Sequence, residues 1–125
     1  AEHYNSYAPN MDYSFWHLLE HIRLAQRDIH DFIQDPNYRT KQWPQDFWPP
    51  KAAICTAQSW IDTCEEIRTD LRSIENLVKD DRIDLNSEIP LHPGYSYLRE
   101  ILLVADHNAY HLGELSILRQ VMGLW

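Results

Sequence analysis

The chain has 125 residues, of which 44% are hydrophobic and 24% charged, and this balance predicts one folded domain over residues 1–125. It excludes a disordered chain. No apolar run approaches the roughly 20 residues that a membrane-spanning helix needs, and no secretory signal is visible. The formal net charge is −8 and no Lys/Arg cluster is present, so nucleic acid is disfavoured as a partner.

The first helix is predicted from Phe15 to about Gln34. Residues 1–13 show no period, and Ser14 is a good N-cap residue just before the first periodic apolar position. Asp35-Pro36-Asn37 ends the pattern. The apolar stripe of this helix consists of Phe15, Leu18, Ile22, Ala25, Ile29 and Phe32.

The next segment, residues 35–50, is rich in proline and aromatic side chains and is predicted to be a loop. Its tryptophans and phenylalanine must bury area, so we expect it to pack over one end of the domain. Two interpretations stay open, a purely structural lid and a loop that contacts a ligand.

Two further helices are predicted. The second begins with Pro50 in its first turn and ends near Lys79, and the third runs from Tyr95 or Ser96 to Met122 with Gly123 as its stop. Residues 82–94 connect them, and no strand-like alternation is present. The predicted fold class is an all-α helical bundle. The expected inward stripe of the second helix is Ile54, Ala57, Ile61, Cys64, Ile67 or Arg68, Leu71, Ile74 and Val78.

The two cysteines, Cys55 and Cys64, both fall in the predicted second helix. Nine residues of helix correspond to about 13 Å of rise, which is too far for a disulfide between them. Free thiols of this kind suggest a reducing, cytoplasmic setting, with both residues serving as small core side chains.

The third helix places His107 and His111 four residues apart on its apolar stripe. That stripe consists of Tyr97, Ile101, Val104, His107, His111, Leu115, Leu118 and Met122. Burying two neutral imidazoles costs free energy unless their nitrogens find partners, and a metal ion is a suitable partner. The alternative is a pair of core histidines that hydrogen-bond to carboxylates or water.

The first helix offers a third imidazole, because His21 lies between Leu18 and Ala25 on the inward line. His17 lies one turn earlier at the same edge. Catalytic metal sites commonly use three protein ligands and leave one position open. We therefore predict His21, His107 and His111 as the metal ligands.

Glu114 lies three residues beyond His111 and is the candidate catalytic carboxylate. It could orient a ligating imidazole or act as general base to a bound water, and the third possibility is a solvent-exposed side chain at the edge of the stripe. Gly113, in the middle of the same helix, is expected to allow close approach of another backbone.

Two segments together resemble the DinB-like (DinB/YfiT) superfamily of metalloenzymes. They are Trp16-His17-Leu18-Leu19-Glu20-His21 and His107-Asn108-Ala109-Tyr110-His111-Leu112-Gly113-Glu114-Leu115. The aromatic and proline residues of the loop at 35–50 resemble one subgroup, so the likeness covers the chain from about Asn10 onward.

The resemblance implies an up-and-down four-helix bundle, in which His21, His107 and His111 bind a divalent metal ion, zinc or nickel. It also implies an enzyme acting on small molecules, with a low-molecular-weight thiol as a second cofactor. Members generally carry a helix before the first ligand helix, and only fourteen residues precede Phe15. The expectation is an N-terminally incomplete domain or a homodimer whose partner subunit covers the exposed groove.

Three function classes follow from the sequence. The first is a metal-dependent enzyme with an open metal position, either a thiol-using transferase or a hydrolase-like enzyme, in which a thiolate or a water is the nucleophile. The second is a non-catalytic, metal-stabilised stress-response binding module, which a closed four-ligand site with His17 or Glu114 would favour. The third is a metal-free helical interaction protein.

Overall fold

The computed structural model describes residues 3–124. Ala1, Glu2 and Trp125 lie outside the described residues, so the prediction of a non-periodic N-terminal segment is compared with the structure only from residue 3 onward. Three helices and one small antiparallel sheet follow one another along this part of the chain. They are α1 (Phe15–Gln34), α2 (Ala57–Val78), β1 (Glu88–Ile89), β2 (His92–Ser96) and α3 (Tyr97–Val121). The mostly helical class is confirmed, and α1 has the predicted bounds.

Helix α1 begins at Ser14 because this residue satisfies the free backbone N–H groups of the first turn. Its hydroxyl accepts the N–H of His17, while the His17 ring accepts the N–H of Ser14. Helices α2 and α3 both pack against α1. Helix α1 is therefore the central element, and it contributes most of the buried helical side chains.

The predicted start of α2 at Pro50 is wrong, because the helix begins at Ala57. Thr56 and Ser59 form a capping box there. The side chain of Asn5 bonds both the N–H and the carbonyl of Cys55, at 2.8 and 2.9 Å, and holds that residue outside the helix. Cys55 and Cys64 are both free thiols, as predicted, although they do not share a helix.

The expectation of no strand is also wrong, since β1 and β2 pair in an antiparallel hairpin. The strands have two and five residues, which is too short for a recognisable alternation of apolar and polar side chains. Pro90 and its neighbours in the turn also interrupt any such alternation. The hairpin places Ile89 in the core, where the residue is 1% exposed.

The core has two clusters, one at each end of α1. Their buried members are Ile29, Ile33, Ile74, Ile89 and Val104 in the first, and Ala8, Phe15, Leu18 and Leu118 in the second. The predicted stripe of α2 is only partly buried, because Ile54, Ile61 and Val78 are exposed. The side of α2 that faces α1 instead buries Thr63 and Asp70, which bond Glu20 and Arg27 of α1.

Gln26 links the three helices from a fully buried position in α1. Its Nε2 donates to the carbonyl of Ile67 in α2 at 2.8 Å, and its Oε1 accepts from Asn108 of α3 at 2.7 Å. A buried amide with both ends satisfied fixes the rotation of α1 relative to its neighbours. No helix of the described chain is long and apolar enough to cross a membrane.

We expect Gln26→Ala to lower the free energy of unfolding by about 2 kcal/mol, because it leaves a buried carbonyl and a buried amide without partners. Urea unfolding followed by circular dichroism measures the change. Gln58→Ala is the matched control, since Gln58 is exposed on α2, and it should change stability by less than about 0.5 kcal/mol. Equal effects of the two variants would contradict the linking role of Gln26.

Candidate metal centre

Three imidazoles meet between α1 and α3. His21 of α1 is buried, and its Nε2 lies 3.2 Å from Nε2 of His111 and 3.3 Å from Nε2 of His107. Among the described residues, these three form the group of histidine, cysteine and carboxylate side chains placed to hold a metal ion. The structure thus brings together the three residues that the sequence predicts as ligands.

His21 is held in place by the loop at residues 35–50. Its Nδ1 donates to the backbone carbonyl of Phe47 at 2.7 Å, and its ring stacks on Trp48 with a centroid distance of 4.1 Å and an interplanar angle of 3°. Because the Nδ1 proton is used in this bond, the lone pair of the neutral ring lies on Nε2 and faces the other two histidines.

Glu114 holds His111 in the same manner. One carboxylate oxygen accepts the Nδ1–H of His111 at 2.8 Å, and the other accepts the hydroxyl of Tyr13. A carboxylate that bonds the outer nitrogen of an imidazole fixes its tautomer and leaves Nε2 as the ligating atom. Both oxygens of Glu114 are therefore engaged, and the arrangement favours the orienting role over the general-base and solvent-exposed alternatives.

In their neutral forms, His21 and His111 therefore place their Nε2 atoms lone pair to lone pair, 3.2 Å apart. Only His107 can offer a proton to this group, and its Nδ1 is buried without a hydrogen-bond partner. Two nitrogen lone pairs at this distance repel unless a cation lies between them. Nitrogen ligands about 2.0–2.1 Å from a tetrahedral zinc ion would be about 3.3 Å apart, which matches the two distances from Nε2 of His21 to the other rings.

Burial favours the neutral form of these rings. It lowers the pKa of His107 to about 4, with a further contribution from the neighbouring rings of His111 and His21, and it lowers the pKa of His21. Since a histidine must be neutral to bind a metal ion, the site favours the ligating form at neutral pH.

His17 does not join the cluster, although it lies one turn from His21. Its Nδ1 contacts the Ser14 hydroxyl at 2.5 Å, and its Nε2 donates to the carbonyl of Pro50 at 3.2 Å. Both of its ring nitrogens are therefore used in capping α1 and in anchoring the loop. With Glu114 also committed, neither candidate fourth ligand is part of the group.

The open side of the cluster is a cavity of about 370 Å³. Its lining is mostly apolar and aromatic, with contributions from α1, α3 and the loop at 35–50, and the lining residues are His21, Ala25, Asp28, Ile29, Trp43, Phe47, Trp48, Leu103, His107 and His111. The loop thus contributes to the candidate site, which favours the interpretation of a loop at a ligand site. Trp43 is 67% exposed, so the expectation that both tryptophans of the loop are buried is wrong for this residue.

Sequence reasoning missed three contributors to this site. The Phe47 contact uses a backbone carbonyl, which has no residue-type signal. Tyr13 lies before the first helix and shows no pattern of its own. Asp28 could have been found, because it lies seven residues after His21 on the same face of α1.

We compared the chain with protein-family models, with curated proteins and with solved structures, and nothing matched.

We expect His17→Ala to lower the free energy of unfolding by about 1 kcal/mol, because it removes half of the capping box. His17→Gln should lose less, since glutamine is a common capping-box residue at this position. Urea unfolding of the two variants measures the difference. Unchanged stability of His17→Ala would contradict the capping role.

Proposed function

We propose that this protein is a divalent-metal-dependent enzyme in which His21, His107 and His111 hold zinc or nickel. The observation that carries the proposal is the 3.2 Å approach of two imidazole lone pairs whose outer nitrogens are already hydrogen-bonded. In a pair of core histidines without a metal ion, at least one ring would present an N–H group to the other and form a hydrogen bond. The fixed tautomers of His21 and His111 favour a cation instead.

The open side of the group favours an enzyme over a metal-stabilised binding module. Three imidazoles converge, the candidate fourth ligands are committed elsewhere, and a cavity of about 370 Å³ adjoins the cluster. A zinc-type ion in such a site lowers the pKa of a thiol or water that it coordinates and so supplies a nucleophile at neutral pH.

The remaining contributions come from the chain itself. Glu114 and Tyr13 orient His111, and the Phe47 carbonyl orients His21. Trp48 stacks on the His21 ring and covers one of its faces, while Trp43 meets the ring edge-on. We infer a small-molecule substrate with a low-molecular-weight thiol as co-substrate, in the manner of the DinB-like superfamily.

We also propose the DinB-like four-helix bundle and a homodimer as the complete assembly. Support comes from the outer surface of α3, which carries large exposed apolar side chains, namely Leu102, Tyr110, Leu112, Ile117 and Val121. Gly113 lies in the same helix, and a Cβ atom placed on it would meet nothing within 4 Å in the described chain, so the expected close approach of another backbone is not found within this chain. The two free thiols support a cytoplasmic location.

Protein produced without a histidine tag should contain about one equivalent of zinc or nickel, measured by elemental analysis. His107→Ala should lose this metal, because two imidazoles bind much more weakly than three. His30→Ala is the matched control, since His30 is on α1 outside the cluster, and it should retain the metal. Absence of stoichiometric metal, together with unchanged stability of His107→Ala, would refute the metal site.

The enzyme and the binding module differ in whether the metal position is open. In cobalt-substituted protein, a small thiol should change the visible absorption spectrum if one position is open. An unchanged spectrum would favour the closed, non-catalytic alternative.

Glu114→Gln should weaken metal affinity by about tenfold to a hundredfold, because the carboxylate that orients His111 is replaced by a weaker acceptor. Competition with a chromogenic chelator measures the affinity. Glu66→Gln is the control, since Glu66 forms a surface ion pair with Arg23 away from the cluster. An affinity unaffected by Glu114→Gln would exclude the orienting role.

A further inference from the structure

The cavity beside the three imidazoles follows the axis of α1. His21, Ala25 and Asp28 line it from successive turns of the same helix face. Seven residues of helix rise about 10 Å, so Asp28 lies about two turns from the histidine cluster. Trp48 also lines a second cavity of about 520 Å³, but none of the three clustered imidazoles lines that one. A molecule that reaches the cluster therefore lies along the first cavity.

Asp28 has one carboxylate oxygen free to meet such a molecule. Its Oδ1 accepts the hydroxyl of Tyr38 at 3.0 Å and lies 3.7 Å from the ammonium group of Lys41. Its Oδ2 accepts no hydrogen bond from any residue between 3 and 124. The Lys41 contact is longer than a hydrogen bond, so the ammonium group neutralises the carboxylate only in part.

The surroundings of Asp28 make a cation the favoured ligand at this end. Its side chain is 15% exposed, and burial raises its pKa against the opposing effects of the Tyr38 hydroxyl and the Lys41 ammonium group. The nearby carboxylate of Asp31 adds to the increase. A partly desolvated carboxylate gains more from a charged donor than an exposed one does. An anionic group placed here would be repelled by both carboxylates.

The middle of the cavity suits an apolar or weakly polar chain. Trp43 and Phe47 line it from the loop, and Leu103 lines it from α3. A tryptophan face also attracts a cation by its ring quadrupole. The cavity therefore offers a metal-ligating end, an apolar middle and an acceptor end.

We propose that the cavity binds an elongated substrate or co-substrate with a metal-ligating group, such as a thiol, at one end and a protonated primary amine at the other, and that Oδ2 of Asp28 accepts the amine. This inference rests on the proposed metal function. It makes Asp28 the residue that determines specificity at the end of the cavity far from the histidines.

The test measures binding of three matched thiols to zinc-loaded protein by isothermal titration calorimetry. The probes are aminohexanethiol, hexanethiol and mercaptohexanoic acid, which share the thiol and chain and differ in the far group. Aminohexanethiol should bind about tenfold more tightly than the other two, because only it gives Asp28 a charge-assisted hydrogen bond.

Two variants locate the effect. Asp28→Asn keeps the shape of the side chain and should reduce the preference for the amine to less than about twofold, with hexanethiol affinity and zinc content unchanged. Asp31→Asn is the matched control, because it removes a nearby charge from a residue that does not line the cavity, and it should retain most of the preference. Cysteamine is too short to span the cavity, so its affinity should not respond to Asp28→Asn.

Other results would contradict the proposal or the metal function on which it rests. Equal affinity for the three probes, or a preference that survives Asp28→Asn, overturns the role of Asp28. Tighter binding of mercaptohexanoic acid would show that Lys41 receives an anion instead. If the wild-type protein holds no zinc, the metal function itself fails, whereas zinc binding without an amine preference refutes only the present inference.

Discussion

The repulsion between the Nε2 lone pairs of His21 and His111 is the constraint on which the organisation of this site depends. The two atoms lie 3.2 Å apart, and each ring is fixed by a bond at its outer nitrogen. Neither ring can relieve the repulsion by changing tautomer without breaking a buried hydrogen bond, which costs about 1–3 kcal/mol. The fold therefore holds the lone pairs in a geometry that a cation would stabilise.

The two fixing bonds come from parts of the chain that are distant in sequence. The loop at 35–50 supplies the Phe47 carbonyl and the Trp48 ring, while Tyr13, just before α1, supports Glu114. Ser14 caps α1 immediately after Tyr13, so the helix start also sets the position of this tyrosine. The cap of α1 and the support of Glu114 are thus provided by two adjacent residues, Ser14 and Tyr13. His17, which also caps α1, holds the end of the loop through its bond to the Pro50 carbonyl.

The sequence predicts α1 and α3 well because their caps and periods agree, and it predicts the convergence of His21, His107 and His111 because inward positions of packed helices face one another. The start of α2 could not be predicted as easily. Pro50 is a favourable first-turn residue, whereas the structure uses the capping box at Thr56, and Asn5, fifty residues away, holds Cys55 extended. Every residue has a backbone carbonyl, so the residue types do not indicate which carbonyl accepts a side-chain hydrogen bond. The bond from His21 to the Phe47 carbonyl could therefore not be predicted from the sequence.

Burial has opposite consequences at the two ends of the cavity, and together they define what can occupy it. At the histidine end, burial lowers the pKa of His107 to about 4, which keeps the rings uncharged and their lone pairs available. At the Asp28 end, burial raises the pKa of a carboxylate whose contacts with Tyr38 and Lys41 in the described chain are both made through Oδ1. The chain's net charge of −8 favours cations at both ends, and Lys41, 3.7 Å from Asp28, neutralises that carboxylate only in part. The metal ion and the ammonium group that we propose would each supply positive charge at one of these ends.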